Sequence, residues 1–222
     1  MFSSFLAKGA LGILGIGTAA AGAVYFGKDL IADSKDKISV RELIKTTHPH
    51  KRLITGKVVS DQYWKDSWRD YRNAHLNKDL DSWKLREWFK PTATVDNSSD
   101  ASAHFIDACF LKAEEEVEGT SDLLYSQVLS YCTRDALISD LIREKNPSKT
   151  LLSDSDGDKW KAPWEAYKNA NKDKWKLSDW DQRKNEVNVP ETFKNECKQK
   201  LGTKTSVAEN GDYEDVLNWC TN

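Results

Sequence analysis

Four cysteines carry the most constrained chemistry in this 222-residue chain. Cys109 and Cys132 are separated by 23 positions, as are Cys197 and Cys220, and there are no others. An even count in two equally spaced pairs points to one disulfide per pair, although four cysteines formally admit three connectivities. Closing a loop of this length stabilises a fold by about 3 kcal/mol in the chain-entropy picture. The competing reading is four reduced thiols packed as small apolar residues. Zinc has little support. No cysteine pair has close ligand spacing, and His48, His50, His75 and His104 all lie in the first half of the chain without counterparts in the second. No metal and no cofactor are expected.

Other candidate chemistry is thinner. Asp154-Ser-Asp-Gly-Asp158 has the composition of a calcium loop, but placing Gly157 at loop position six puts Leu152 at position one and Pro163 at the terminal acidic position. A capping or solvated turn is expected there, and a solvated helix face at Glu114-Glu115-Glu116. Gly-x-Ser-x-Gly is missing, and no thiol is free for nucleophilic work once both pairs are assigned, so a non-enzymatic protein is expected. A site built on a histidine of the first half alone stays open. Asn97-Ser-Ser is a glycosylation sequon, relevant only in a secretory eukaryote.

The elements that must position the cysteines emerge from an internal repeat. Val40, Leu43 and Ile44 align with Ile138, Leu141 and Ile142 at an offset of 98, and Trp64, Trp68, Tyr71 and Ala74 with Trp160, Trp164, Tyr167 and Ala170 at 96. Trp83-Lys-Leu85 and Trp88 match Trp175-Lys-Leu177 and Trp180 at 92. Phe105, Cys109, Tyr125, Val128, Leu129 and Cys132 match Phe193, Cys197, Tyr213, Val216, Leu217 and Cys220 at 88. An offset that only shrinks is the mark of a tandem duplication with short loop deletions, copy one at 38–135 and copy two at 136–222.

Within each copy, Trp64, Trp68 and Tyr71, like Trp160, Trp164 and Tyr167, recur at i, i+4 and i+7 and predict the core-facing stripe of a helix. Ser60 or Asp61, and Asp156 or Asp158, are the expected N-caps. Pro49 and Pro147 must end the amphipathic stretches before them. Leu53-Ile54 and Leu151-Leu152 have the character of short strands, so the fold class expected is mainly α, with α+β kept open. Cysteines four residues from Phe105 and Phe193, and again seven after Tyr125 and Tyr213, fall on the apolar faces of two consecutive helices that an antiparallel hairpin would bring together.

Residues 10–26 carry no charge and are long enough, at the lower limit, to span a bilayer. Residues 1–30 are therefore expected to be a single-pass membrane anchor, with a cleaved export signal as the alternative because Ala19-Ala20-Ala21 and Ala21-Gly22-Ala23 fit a small-x-small site. Gly15, Ala19, Ala23 and Gly27 form a small-residue stripe suited to close helix packing in the membrane. The basic residues Lys28, Lys35, Lys37 and Arg41 after the span, against Lys8 before it, favour a cytosolic C-terminal region. Paired cysteines favour an oxidising exterior and are given more weight, because long domains translocate largely regardless of flanking charge. Acidic and basic residues nearly cancel, 35 against 33, which argues against nucleic acid as a partner.

A Gly/Ala-rich anchor, a Leu-Leu pair, Trp and Tyr at helical spacing, a cysteine and a closing Leu-x-x-Trp-Cys from Leu217 to Cys220 together resemble the uncharacterised paralogous families of haemotropic mycoplasmas. Those are small anchored proteins commonly supposed to be surface-displayed and antigenically variable. The resemblance covers most of the chain, transfers no functional residue, and does not account for the tandem duplication. It implies a cell-surface interaction or structural protein, with an extracellular protein or glycan partner. Two alternatives are an extracytoplasmic carbohydrate-binding or glycan-active protein using exposed tryptophans, and a cytosol-facing anchored scaffold.

Overall fold

The computed structural model describes residues 37–170, 172–208 and 211–222. The anchor at 10–26 and its stripe of Gly15, Ala19, Ala23 and Gly27 lie outside these residues. Among the described residues no helix is long and apolar enough to cross a membrane.

The first half runs β1 (Ile38–Ser39), α1 (Val40–Thr47), β2 (Lys51–Leu53), α2 (Gln62–Ala74), α3 (Ala103–Glu114), β3 (Glu116–Val117), α4 (Leu123–Tyr131) and β4 (Thr133–Asp135). The second runs α5 (Ile138–Lys145), a 3-10 segment (Asp154–Trp160), α6 (Lys161–Asn169), α7 (Trp180–Arg183), α8 (Glu191–Leu201) and α9 (Asp212–Trp219). The protein is helix-rich, and its strands are short ribbons. Ser39 Oγ caps α1 by accepting the Glu42 N–H, and Asp61 caps α2 by accepting the Tyr63 N–H at 2.8 Å. Both α1 and α5 stop two residues before the prolines Pro49 and Pro147.

Two local expectations are corrected. In the second half the cap belongs to Ser153, with Asp156 reaching back to the Ser153 N–H at 2.8 Å. Gly157, at φ 48°, kinks the segment, so capping acts at the 3-10 turn and not directly before α6. Of the three glutamates only Glu114 is helical, because the chain turns at Glu115 and enters β3.

Both ribbons are antiparallel and join the opening of the first half to segments far along it. Ile38 pairs with Val117 and Ser39 with Glu116, while Lys51, Arg52 and Leu53 pair with Asp135, Arg134 and Thr133. In the second half single bridges link Leu137 to Lys204 and Leu151 to Thr221. The Ile54 N–H donates to the Cys132 carbonyl at 2.9 Å, and the Leu152 N–H to that of Cys220 at 3.0 Å. Ribbons this short are marginal in water, so they depend on the helices and cross-links beside them.

The described residues from Lys37 to Asn222 form one compact unit, and polar contacts join its halves. Arg134 makes two hydrogen bonds to Asp140, at 2.6 and 2.9 Å, and Arg52 two to Glu144, at 2.7 and 2.8 Å. Asp135 bridges Lys51 and Lys204 at 2.7 and 2.8 Å. The Lys204 and Lys51 ammonium groups hold the Asp135 carboxyl below its usual range. At Asp140 burial pushes upward, but hydrogen bonds from Arg134 and the Leu137 N–H outweigh it and leave this carboxyl lowered as well.

A depressed carboxylate stabilises the fold above its unfolded pKa and loses that contribution as pH falls through the folded value. Urea midpoints should therefore drop between about pH 5 and about pH 1. In an Asp135→Asn/Asp140→Asn double variant the same drop should be shallower, and an equal drop would exclude the junction as its source.

Candidate functional site

Tyr71 and Tyr167 organise the two aromatic cores. Each is fully buried and stacks against the tryptophan three residues earlier, Trp68 at 6.0 Å and Trp164 at 5.8 Å between ring centroids. Each also meets a phenylalanine, Phe105 or Phe193, at 5.1 Å. Trp64, Trp160 and Trp164 are buried with them, while Trp68 is half-buried under Trp88. Disulfides Cys109–Cys132 and Cys197–Cys220 close beside these rings with Cα atoms 5.5 Å apart in both.

Each tyrosine hydroxyl donates to a carboxylate on the following turn, Asp81 or Asp173. Asp81 also accepts the Trp83 and Leu85 N–H groups, both at 2.9 Å, and Asp173 accepts the Leu177 N–H at 2.8 Å. Burial, then the bond to aspartate, pushes both phenols above their usual pKa, so they stay protonated donors. These aspartates were not among the sequence candidates. The signal was present, since both lie two residues before the aligned Trp-Lys-Leu, at the same offset of 92.

The turn that Asp81 braces also brings a histidine and a serine together. His75 ends α2 with its ring buried, only 5% exposed. Its Nδ1 lies 2.7 Å from the Tyr71 carbonyl, which can only accept, so this nitrogen carries the proton. With that single proton on the ring, Nε2 is an acceptor for Ser82 Oγ, 2.9 Å away. Both residues line an open pocket of about 300 Å³ together with Lys78, Gln127 and Ser130, and no carboxylate lines it. Gln127 Oε1 accepts the Trp83 indole N–H at 2.9 Å, which fixes the amide and leaves its NH₂ for the pocket. Leu123, 70% exposed, forms the apolar lip.

At the aligned positions of the second half the chemistry is inverted. Lys174 replaces Ser82, Asp215 replaces Gln127 and Asn171 replaces His75. Lys174 ion-pairs with Asp215, so that half has a salt bridge where the first has an open pocket, and the Trp175 indole N–H is left buried without a partner.

A second depression shows the reverse pattern. Beside Trp64 it is closed to about 10 Å³ with Arg41 and Phe110 in its wall. Beside Trp160, where Ser139 and Lys198 stand instead, it opens to about 370 Å³. Its floor is apolar, from Leu151, Trp160 and Leu201, and Arg143 and Lys194 lie at its edge.

Among the described residues no group of histidine, cysteine and acidic side chains is arranged to hold a metal. Compared with protein-family models, with curated proteins and with solved structures, the chain matches none.

Proposed function

We propose that the protein is a membrane-anchored, surface-displayed interaction protein in which two diverged copies of one module, 38–135 and 136–222, share a frame and present different surfaces. One observation carries this reading: buried contacts recur at aligned positions whereas the open cavities differ in number and lining. Trp83 stacks on Phe105 as Trp175 does on Phe193, at 5.8 and 5.9 Å, and Trp64 and Trp160 both donate their indole N–H to a backbone carbonyl eight or seven residues earlier. Yet the first half opens one pocket at His75 and Ser82 and a larger one, of about 450 Å³, between Arg41 and Arg52, whereas the second opens at Trp160 and Lys198.

Exposed side chains diverge too. Leu80, Phe89, Leu111 and Leu123 are each at least 68% exposed, and Lys172, Asp181, Gln199 and Gly211 stand at the aligned positions. Val187 and Val207 are exposed apolar groups of the second copy, and apolar groups held in water at different places on the two copies are what a contact surface requires and a frame does not. A glycan-stacking alternative draws no support from the tryptophans, all nine of which are buried or half-buried. Two closed disulfides support an oxidising exterior over the cytosol-facing alternative.

Protease added to intact cells, with thiol alkylation before and after reduction, tests the placement. Expected is loss of the 37–222 region without lysis, and cysteines that alkylate only after denaturation and reduction. A shielded chain with directly alkylated thiols would place it on the cytosolic side and defeat the proposal.

A further inference from the structure

We infer that Ser82 and His75 form a nucleophilic dyad in the first half of the chain, acting on a small carboxylic ester that bears an anionic group. The geometry is that of an activated serine: hydroxyl to imidazole Nε2 at 2.9 Å, with the far nitrogen held by an acceptor at 2.7 Å. Here the orienting acceptor is the Tyr71 carbonyl, which selects the tautomer a general base needs. Ser82 is exposed to the pocket while its base is buried, and Asp81 pins the backbone on its C-terminal side through the Trp83 and Leu85 N–H groups.

The His75 ring packs on Tyr71 and Trp88, at 4.4 and 5.9 Å between centroids, but the frame does not require its bond to a serine. With Lys174 and Asn171 at the aligned positions, the second half builds the same tyrosine–aspartate anchor and the same tyrosine–tryptophan contact. What the dyad adds is therefore chemistry in one copy. The pocket supplies the remaining parts: the oriented Gln127 NH₂ and the Ser130 hydroxyl are donors for a developing oxyanion, and Lys78 is the cation for an anionic substituent. The open pocket of about 300 Å³ would seat a short acyl chain against Leu123 and Tyr131.

In the reaction, Ser82 Oγ bonds to the ester carbonyl carbon as its proton passes to His75 Nε2. The carbon–oxygen bond to the alcohol then breaks, and the imidazolium returns that proton to the departing alkoxide. Water repeats the sequence on the acyl-serine, giving up its proton to His75, releasing the carboxylic acid and restoring both side chains.

A fluorophosphonate probe, applied to the full-length chain in detergent and read by peptide mass mapping, tests this. Wild type should saturate with a single adduct, on Ser82. Ser82→Ala should lose the adduct altogether, and His75→Asn should label at least about 100-fold more slowly. Asparagine is chosen because it stands at the aligned place in the second half; intact disulfides and an unchanged near-ultraviolet spectrum verify folding. The same folding checks apply to Ser82→Ala, because its hydroxyl bonds the buried His75 ring and the Tyr71 hydroxyl. Labelling spread over several serines, wild type no more reactive than Ser82→Ala, or a folded His75→Asn that labels at the wild-type rate would each reduce the dyad to a helix-end hydrogen bond.

Discussion

Asp81→Ala should destabilise the protein by about 3 to 5 kcal/mol, the largest effect expected of any single polar substitution here. The Asp81 carboxylate is 3% exposed and is the acceptor for the Tyr71 hydroxyl and for the Trp83 and Leu85 amides. Truncation leaves three donors in a site with little water, each costing roughly 1–3 kcal/mol, and part of this is returned because a buried charge disappears. Asp81→Asn keeps the shape and one acceptor oxygen, so about half the loss is expected.

Asp173→Ala should cost less, about 2 kcal/mol, because Asp173 is only half-buried and water can reach the donors it leaves. Denaturant midpoints for the three variants measure the order. A loss below about 1 kcal/mol in Asp81→Ala would mean that the aromatic rings alone hold the turn. Tyr71→Phe provides the complementary variant, since it removes one donor and leaves the two amides paired.

Removal of the first disulfide, as Cys109→Ala/Cys132→Ala, should cost about 3 to 4 kcal/mol, and removal of the second, as Cys197→Ala/Cys220→Ala, about 3. Both close loops of the same length, so chain entropy predicts equal effects. The difference comes from the segment on the C-terminal side of each cross-link. Cys132 leads directly into β4, which pairs with β2 and carries Arg134 and Asp135 to the junction with the second half. Cys220 leads into the short pairing of Thr221 and Asn222 with Leu151 and Thr150, which does not reach the junction.

All four cysteines are buried, so reductant in the absence of denaturant should act slowly, through opening of the fold. Thermal or denaturant unfolding of the two double variants gives the comparison. Equal losses would show that the junction does not depend on the first cross-link, and rapid reduction of the native protein would contradict the burial of both bridges.

Much of the frame could be read from local pattern. Trp64 and Tyr71, with Trp160, Trp164 and Tyr167, sit at helical spacing, and a stripe of rings that size on one face leaves a helix few ways to pack. Cysteine spacing identified the pairs, because each cysteine shared an apolar stripe with an aromatic and the hairpin had to bring those stripes together. Proline and Ser/Asp placement marked helix ends to within a residue or two, except near Gly157, where a positive φ moved the cap.

Beyond this the tertiary structure decided. His75 and Ser82 are seven apart across the end of α2, and nothing periodic links a helix-terminal histidine to a serine on the next turn. Their contact exists because Asp81, beneath Tyr71, dictates the path of that turn. The cavities likewise depend on small differences of volume and charge on one frame, Arg41 and Phe110 against Ser139 and Lys198, or Gln127 against Asp215. Periodicity reports which side of an element faces inward. Which polar groups meet across turns, and where the surface stays open, is set by packing among segments far apart in the chain, and the candidate site belongs to that second class.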